Sequence, residues 1–466
     1  MIISLLLLVF PITYLLSFSY SIKGVWNGSY GHLSVFLVAG LPIYITSLSI
    51  LHSNGLDAVI PLFQYSKELL VLLTLGLLLY RLPALPKWNW LDKFMIFYIV
   101  YTAVFVVLPI GTFGIVEKLV AYKNISFFPF LYFIGRLLNP ELVWISKWQK
   151  QILLLAVLAA LLLIGELLTN THFQSITGYA SFYDKYFLFD PAGNYGLSWT
   201  FEIEGGIKRF ASFFSNPLEH AASTLITVSV LVIGLLNWRQ TKEPQLLLWA
   251  VLASVLSVVF ALSRASLAGY LLVSYLFFQL IRQQKILFYY HLLALLVVIV
   301  VMFFSFDTDI SEFLINTFNF TNSSSLSHLL EWVDGIEAML ANPLGMGLGE
   351  SGRVAGALGL NTGGENQLII TGVQCGWPAV FLYLAVIGIS IYQAAKLVRH
   401  ATGRAAQLGT IVFIIRVGLL IPMLTAAIES YLFVSYLGWL LTGLMSTAWS
   451  SGENLAPASL KSLEAK

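Results

Sequence analysis

Two arginines stand at the edges of long apolar blocks in this chain, where charged side chains are rare. Arg209 precedes one such block, and Arg264 lies in the short joint between two others. A charge held near hydrocarbon is costly unless it is paired or functional, and the planar guanidinium binds phosphate groups through two parallel hydrogen bonds. Either arginine alone could equally extend to a lipid headgroup. Two of them on one side of a membrane favour a shared anionic ligand.

Glu365 is the carboxylate that comes directly before another apolar block. Placed near arginines, it could accept a proton from a hydroxyl group. On spacing alone, an exposed loop glutamate is the simpler interpretation. The seven histidines are scattered and Cys375 is the single cysteine, so the sequence shows no metal-ligand cluster and no internal disulfide. We predict no metal and no cofactor.

The composition shows what must position these residues. Of 466 residues, 58% are hydrophobic and only 10% are charged, and the mean hydropathy is +0.84. Soluble domains carry about 25% charged residues. The chain cannot cover a water-facing surface, so it is an integral membrane protein. Its net charge of +2 gives no support for a nucleic-acid partner.

Apolar blocks long enough to cross a bilayer recur along the chain. A bilayer core requires roughly 20 apolar residues per helix. We therefore predict an all-α polytopic membrane protein with about 12 or 13 transmembrane helices. The blocks are 2–20, 33–51, 58–80, 93–111, 119–137, 151–168, 218–236, 246–262, 265–281, 286–304, 376–395, 407–427 and 430–448.

Lysines and arginines orient these helices, since they concentrate in cytoplasmic loops. They cluster in alternate loops, and an even number of spans separates successive clusters, which places all clusters on one face. The opposite, external face then receives the loop 169–217, the joint 263–265 and a large loop, 305–375. The clusters are Arg81, Lys87 and Lys93; Arg136, Lys147 and Lys150; Arg239 and Lys242; Arg282 and Lys285; Lys396, Arg399 and Arg404.

The large loop 305–375 contains two recognisable features. Residues 326–340 have the apolar spacing of an amphipathic helix, ended by Asn342-Pro343. The glycine-rich run 345–352 follows no strand, so it is not a dinucleotide-binding motif. Its glycines permit either close approach of the backbone to a ligand or a sharp re-entrant turn.

Charged residues also occur inside predicted helices. Arg416 needs a partner, and Glu429 is the nearest acidic residue in sequence, so we predict a structural ion pair. Lys67 with Glu68, and Glu166, favour the same interpretation.

Three stretches resemble the O-antigen polymerase and O-antigen ligase group of bacterial envelope glycosyltransferases. Residues 209–217 resemble the family's arginine, aromatic and Asn-Pro element before a span. Residues 262–266 resemble its Leu-Ser-Arg hairpin, and the run 325–376 resembles its large periplasmic loop. The resemblance covers roughly residues 200–400. Each stretch is degenerate, but their order, spacing and shared side make the combination fairly specific.

The resemblance implies a GT-C-like helical membrane enzyme with a polyprenyl-diphosphate-linked glycan as donor. By position, Arg209 and Arg264 would hold the diphosphate, and inverting transfer would proceed without a metal. Ligases of the group typically have a His-Asn pair where this chain has Glu365-Asn366, and many members have arginine where it has His328. These departures favour a polymerase over a ligase.

Our hypothesis is therefore a glycan polymerase of the bacterial inner membrane with its active site facing the periplasm. Glu365 would be the catalytic base, Arg209 and Arg264 would bind diphosphate, and His328, Arg353 and Asn366 would make secondary contacts. Aromatic residues of the 179–214 region could stack on sugar rings. Partners would be the lipid-linked donor, a glycan acceptor, membrane lipid, a chain-length regulator and a flippase.

Three alternatives remain: a ligase acting on lipid A core or another acceptor, a transporter of envelope precursors, and a non-catalytic glycan-binding or export-accessory protein. A transporter should show interrupted spans in matching positions of two halves. The expected organisation is an N-terminal helical part (1–200), a catalytic part (201–450) and a cytoplasmic tail (451–466).

Overall fold

The computed structural model describes residues 6–82, 84–138, 145–188, 191–203, 206–238, 243–304, 323–358 and 362–451. Nearly all regular structure within these residues is helical. The helices are α1 (Val9–Trp26), α2 (Leu33–Val35), α3 (Tyr44–Ser53), α4 (Ile60–Arg81), α5 (Trp90–Val107), α6 (Ile115–Ser126), α7 (Phe128–Leu137), α8 (Ile145–Thr169), α9 (Tyr179–Phe187), α10 (Pro217–Leu236), α11 (Pro244–Ala261), α12 (Arg264–Leu280), α13 (Gln284–Phe304), α14 (Ser323–Ala341), α15 (Arg353–Gly356), α16 (Gln367–His400), α17 (Gly403–Gly418), α18 (Pro422–Thr425) and α19 (Leu432–Ser451).

Two strands, β1 (Glu202–Ile203) and β2 (Ile207–Lys208), form a small antiparallel pair. Short 3-10 turns and one π turn make the remaining regular structure: Tyr30–His32, Phe36–Gly40 (π), Leu41–Ile43, Asp57–Val59, Phe173–Ile176, Trp199–Phe201 and Ile428–Ser430.

Nine helices in the described part of the chain are long and apolar enough to cross a membrane. The all-α polytopic prediction is confirmed, while the count of 12 or 13 is not reached. The block 119–137 is two helices because the chain breaks at Phe127, ahead of Pro129, and the block 265–281 gives a helix of 17 residues. Residues 1–5 and the tail beyond 451 lie outside the described residues.

The centre of the bundle is closely packed. α19 lies along α7, and α16 along α17. Backbones of α7 and α19 touch through small residues: a Cβ on Gly135 would stand 2.0 Å from the Leu440 carbonyl oxygen, and one on Gly443 equally close to that of Tyr132. Small residues that permit such contact are typical of membrane helix pairs. The outer helices instead expose large apolar side chains, such as Trp249 and Val255 of α11, as expected for lipid contact.

The large loop differs from its predicted boundaries at its C-terminal end. α14 confirms the predicted amphipathic helix, but α16 begins at Gln367, nine residues before the predicted span. Polar residues such as Thr371 and Gln374 occupy this extra segment and are buried, so hydropathy did not identify it. Residues 305–322 and 359–361 lie outside the described residues.

Candidate functional site

The stretch that carries Arg209 is held in place by backbone hydrogen bonds. The Arg209 amide donates to the Phe201 carbonyl at 2.8 Å. Ser212 has φ +53°, and its amide donates to the Glu166 carboxylate at 2.9 Å. The other oxygen of Glu166 accepts from the Phe173 amide at 2.8 Å. Among the described residues, Glu166 thus binds two loop amides rather than forming the predicted ion pair.

Polar side chains also hold the rest of this stretch. Thr46 donates to the Phe213 carbonyl at 2.8 Å, and Gln174 donates to the Phe214 carbonyl at 2.7 Å. Asn216 then caps α10 by accepting from an amide of its first turn at 2.8 Å. The loop that leads from Arg209 into α10 is therefore a rigid part of the bundle.

Arg264 is the first residue of α12. Leu262 takes the left-handed conformation with φ +47°, and the Ser263 side chain caps the helix. The Arg264 side chain is exposed, whereas Arg209 is partly buried with its Nε lacking a hydrogen-bond partner. Burial, followed by the charge of Arg264, lowers the pKa of Arg209 to about 10. The two guanidinium groups therefore repel each other across a short gap, which an anion would relieve.

Glu365 follows Gly363 and Gly364, which both have positive φ. A Cβ on Gly364 would stand 2.1 Å from the Glu331 carboxylate of α14, so this turn is packed against that helix. The Glu365 side chain is exposed, but the protein groups around it limit its hydration. Loss of water there, and then the charge of Glu331, raise the pKa of Glu365, although His328 opposes the shift. A raised pKa is typical of a carboxylate that exchanges protons.

His328 connects the carboxylate to the arginines. Its Nδ1 lies 3.5 Å from a Glu331 oxygen. That contact raises the pKa of His328 despite partial burial; the Glu365 charge adds to the increase and the Arg209 charge opposes it. His328 is thus within electrostatic range of both predicted groups.

Tyr431, between α18 and α19, is a further member of the group. Burial raises the pKa of Tyr431 well above its usual value; the charges of Glu365 and Glu219 raise it too, while Arg209 lowers it. We call Arg209, Arg264, His328, Glu365 and Tyr431 the arginine site. Sequence reasoning missed Tyr431, whose only signal was its place in an external joint next to Glu429-Ser430.

The glycine-rich run supports this site through contact between two backbones. Gly376, with φ +75°, breaks α16 just before Pro378, which leaves carbonyl groups of the preceding turn without helical partners. The Met346 amide donates to the Val373 carbonyl at 2.7 Å, and the Gly347 amide to the Gln374 carbonyl at 3.1 Å. The structure thus shows the glycines in a close backbone turn, and approach of this backbone to a ligand stays a prediction.

Asn366 and Arg353, two of the residues predicted to make secondary contacts, lie in different surroundings. The Asn366 side chain caps α16 by accepting from the amides of Leu368 and Ile369 at 2.9 and 3.3 Å, which fixes the backbone next to Glu365. Arg353 stacks on the Phe187 ring at 3.7 Å. It lies within electrostatic range of Lys67 and Lys123, so the structure groups it with those lysines.

Aromatic side chains of α9 are close to Arg353. Tyr179 and Tyr183 stack with ring centroids 4.2 Å apart, and Tyr183 hydrogen-bonds Arg353. Tyr179 and Phe182 are buried, while Tyr183 and Phe187 are partly accessible. Stacking of these rings on a sugar stays a prediction.

The predicted ion pairs within the helices have mixed outcomes. Lys67 and Glu68 are paired at 3.1 Å, as predicted. Arg416 instead stacks over the Trp439 ring at 3.4 Å, and the Trp439 indole donates to Glu429 at 3.0 Å. The prediction of a direct ion pair between Arg416 and Glu429 was wrong, because the Trp439 indole lies between them.

In the part of the chain the structure describes, no group of three or more His, Cys, Asp or Glu side chains is placed to hold a metal ion. No protein-family model matches the sequence, and no curated protein matches it significantly. The fold and the site define a multi-pass helical membrane protein with a group of charged side chains drawn from separate segments of the chain.

Proposed function

We propose that this protein is a glycosyltransferase of the bacterial inner membrane, with a GT-C-like organisation and a periplasm-facing site. The donor is a glycan on a polyprenyl diphosphate, and the acceptor is a sugar hydroxyl of a second lipid-linked repeat unit. One observation carries the proposal: Arg209 lies within electrostatic range of Arg264 and of His328, and His328 lies within range of Glu365, a carboxylate of raised pKa.

The reaction uses these groups in defined roles. Glu365 accepts the proton of the acceptor hydroxyl as its oxygen attacks the anomeric carbon of the donor. The bond between that carbon and the diphosphate oxygen breaks, with inversion, and polyprenyl diphosphate leaves. Arg209 and Arg264 offset the negative charge that grows on the leaving group. Protonated His328 adds positive charge between base and arginines.

The alternative functions have less support. A ligase of the resembled group would have histidine at position 365, where this chain has glutamate. A transporter is favoured by the break in α16, but there the carbonyls of Val373 and Gln374 accept from loop amides. They are therefore not free to bind a transported ion or substrate.

The test is transfer by the purified protein in lipid nanodiscs, supplied with a fluorescent lipid-linked repeat unit. The expected result is a ladder of longer glycans together with release of polyprenyl diphosphate. Glu365→Gln should abolish both, while exchange of an exposed external carboxylate, Glu117→Gln, should change neither. Transfer to lipid A core without a ladder would establish the ligase instead, and absence of both products would overturn the proposal.

A further inference from the structure

Three cations share a second charged cluster, separate from the arginine site. Lys67 of α4 and Lys123 of α6 each lie 3.1 Å from the same oxygen of Glu68. Arg353 of α15 is within electrostatic range of both lysines. We call Lys67, Lys123 and Arg353 the lysine site. Among the described residues, Glu68 is the one carboxylate within ion-pair distance of these cations, so positive charge is in excess.

The lysine site lies well inside the bundle. Lys67 is ten residues beyond Asp57, where its span starts, and Lys123 is eight residues beyond Ile115, where α6 starts. At 1.5 Å per residue, these positions are ~15 and ~12 Å along their helices. Ionisable groups at membrane depth face the bundle interior or a water-filled cavity, pair with one another, and mark substrate or ion pathways. Excess positive charge at that depth calls for an anion.

The side chains around the lysine site leave one face of it open. Lys67 is buried and donates to the Tyr44 hydroxyl at 2.9 Å. The Lys123 side chain is 38% exposed, and Arg353 is exposed above it. A purely structural network would bury Lys123 and give Arg353 a carboxylate. Instead, Arg353 lies on the Phe187 ring and hydrogen-bonds Tyr183, while the residue stays exposed.

Aromatic residues link the lysine site to the arginine site. Tyr179 and Tyr183 both lie within electrostatic range of Arg353 and of Glu219. Glu219 is in turn within range of Tyr431 of the arginine site. Of these rings, Tyr183 is partly accessible, and it offers an apolar face on which a sugar from the lysine site could stack.

We propose that the lysine site is a second diphosphate site, which binds the headgroup of the lipid-linked acceptor while the arginine site binds that of the donor. This assignment rests on the proposed function, which requires two lipid-linked substrates at once. Lys67 and Lys123 supply positive charge inside the bundle, and Arg353 of α15 adds to it from the loop.

Calorimetric titration of the whole protein with farnesyl diphosphate, in phosphatidylcholine nanodiscs, tests the assignment. The wild type should bind two equivalents. The double variant Lys123→Gln/Arg353→Gln should lose one, with the affinity of that site falling roughly 10- to 100-fold. Arg209→Gln/Arg264→Gln should lose the other.

Two control variants separate lost binding from lost folding. Lys123→Arg/Arg353→Lys keeps the charges and should keep both equivalents. Arg282→Gln/Lys285→Gln removes two exposed cations, one just before α13 and one in its first turn, and should also keep both.

A wild type that binds one equivalent, or a Lys123→Gln/Arg353→Gln variant that binds two, would overturn the assignment. Loss of the second equivalent when phosphatidylglycerol replaces phosphatidylcholine would also overturn it, and would show a site for bulk lipid headgroups. If the protein binds two equivalents but transfers no glycan, the proposed function and the assignment of donor and acceptor are wrong, although two diphosphate sites remain. Transfer with one equivalent would remove the lysine site alone.

Discussion

Replacing Glu166 by glutamine should slow glycan transfer although this residue touches no substrate. Its carboxylate accepts from the amides of Ser212 and Phe173 at 2.9 and 2.8 Å, and the side chain is buried. An amide in its place keeps one neutral hydrogen bond and turns its NH₂ group toward the other loop amide. One charge-assisted hydrogen bond is weakened, and the buried NH₂ group faces another buried N–H donor. Together these changes cost about 2–4 kcal/mol.

That loss is larger than the free energy that the left-handed conformation of this loop costs. Ser212 has φ +53°, a left-handed conformation that costs a non-glycine residue about 1–2 kcal/mol. Without the Glu166 contact, the residue should relax, and Arg209, three positions away, should shift. Displacement of a binding group by ~1 Å can slow a reaction roughly 100-fold. We expect Glu166→Gln to slow transfer roughly 10- to 100-fold.

The assay is the rate of ladder formation in nanodiscs, measured beside the thermal midpoint of each variant. Glu117→Gln, which alters an exposed carboxylate, is the control and should match the wild type. A Glu166→Gln protein that transfers within twofold of the wild-type rate would refute the argument that this carboxylate positions Arg209.

Three further predictions concern the site and its support. Arg209→Lys should slow transfer roughly 10- to 100-fold in the same assay, because lysine cannot bind phosphate through two parallel hydrogen bonds. Because Glu365 must be ionised to act and its pKa is raised, a pH-rate profile should fall as the pH drops through that raised pKa and level off above it. Glu365→Gln should be roughly 100- to 10,000-fold slower than the wild-type plateau and should not show this fall at low pH. Gly345→Ala would place a Cβ 2.6 Å from the Gln374 carbonyl oxygen and should lower the thermal midpoint, at a cost of about 1–3 kcal/mol. Gly388→Ala, with nothing within 4 Å, should not.

Much of the architecture follows from the sequence because membrane helices must satisfy their backbone groups internally. Each apolar block predicted as a span contains helix, and the amphipathic helix α14 matches its periodicity. Hydropathy does not show where a helix breaks or starts in polar residues. The block at 119–137 therefore became α6 and α7, and the start of α16 at Gln367 was missed.

The site was predictable where rare residue types marked it. Arg209 lies within electrostatic range of Arg264 and of His328, and His328 lies within range of Glu365; their shared external side stays a prediction. The role of Glu166 was not predictable, since its partners are backbone amides of folded loops. Sequence spacing carries no information on such contacts.

The clusters of buried charge show the same limit. Arg416 and Glu429 were correctly identified as charges in need of partners, but the Trp439 ring between them depends on helix rotation. Lys123 and Arg353 become neighbours only through the docking of α15 beside α6. Pairing within one helix, as for Lys67 with Glu68, is the kind that sequence can show.

The most direct test of the central claim is the length of surface glycan, read by gel, in a strain whose own copy is replaced by Glu365→Gln. We expect long chains to vanish while single repeat units still reach the surface, because transfer between lipid-linked units stops and later steps continue. Wild-type chain lengths in that strain would contradict the account.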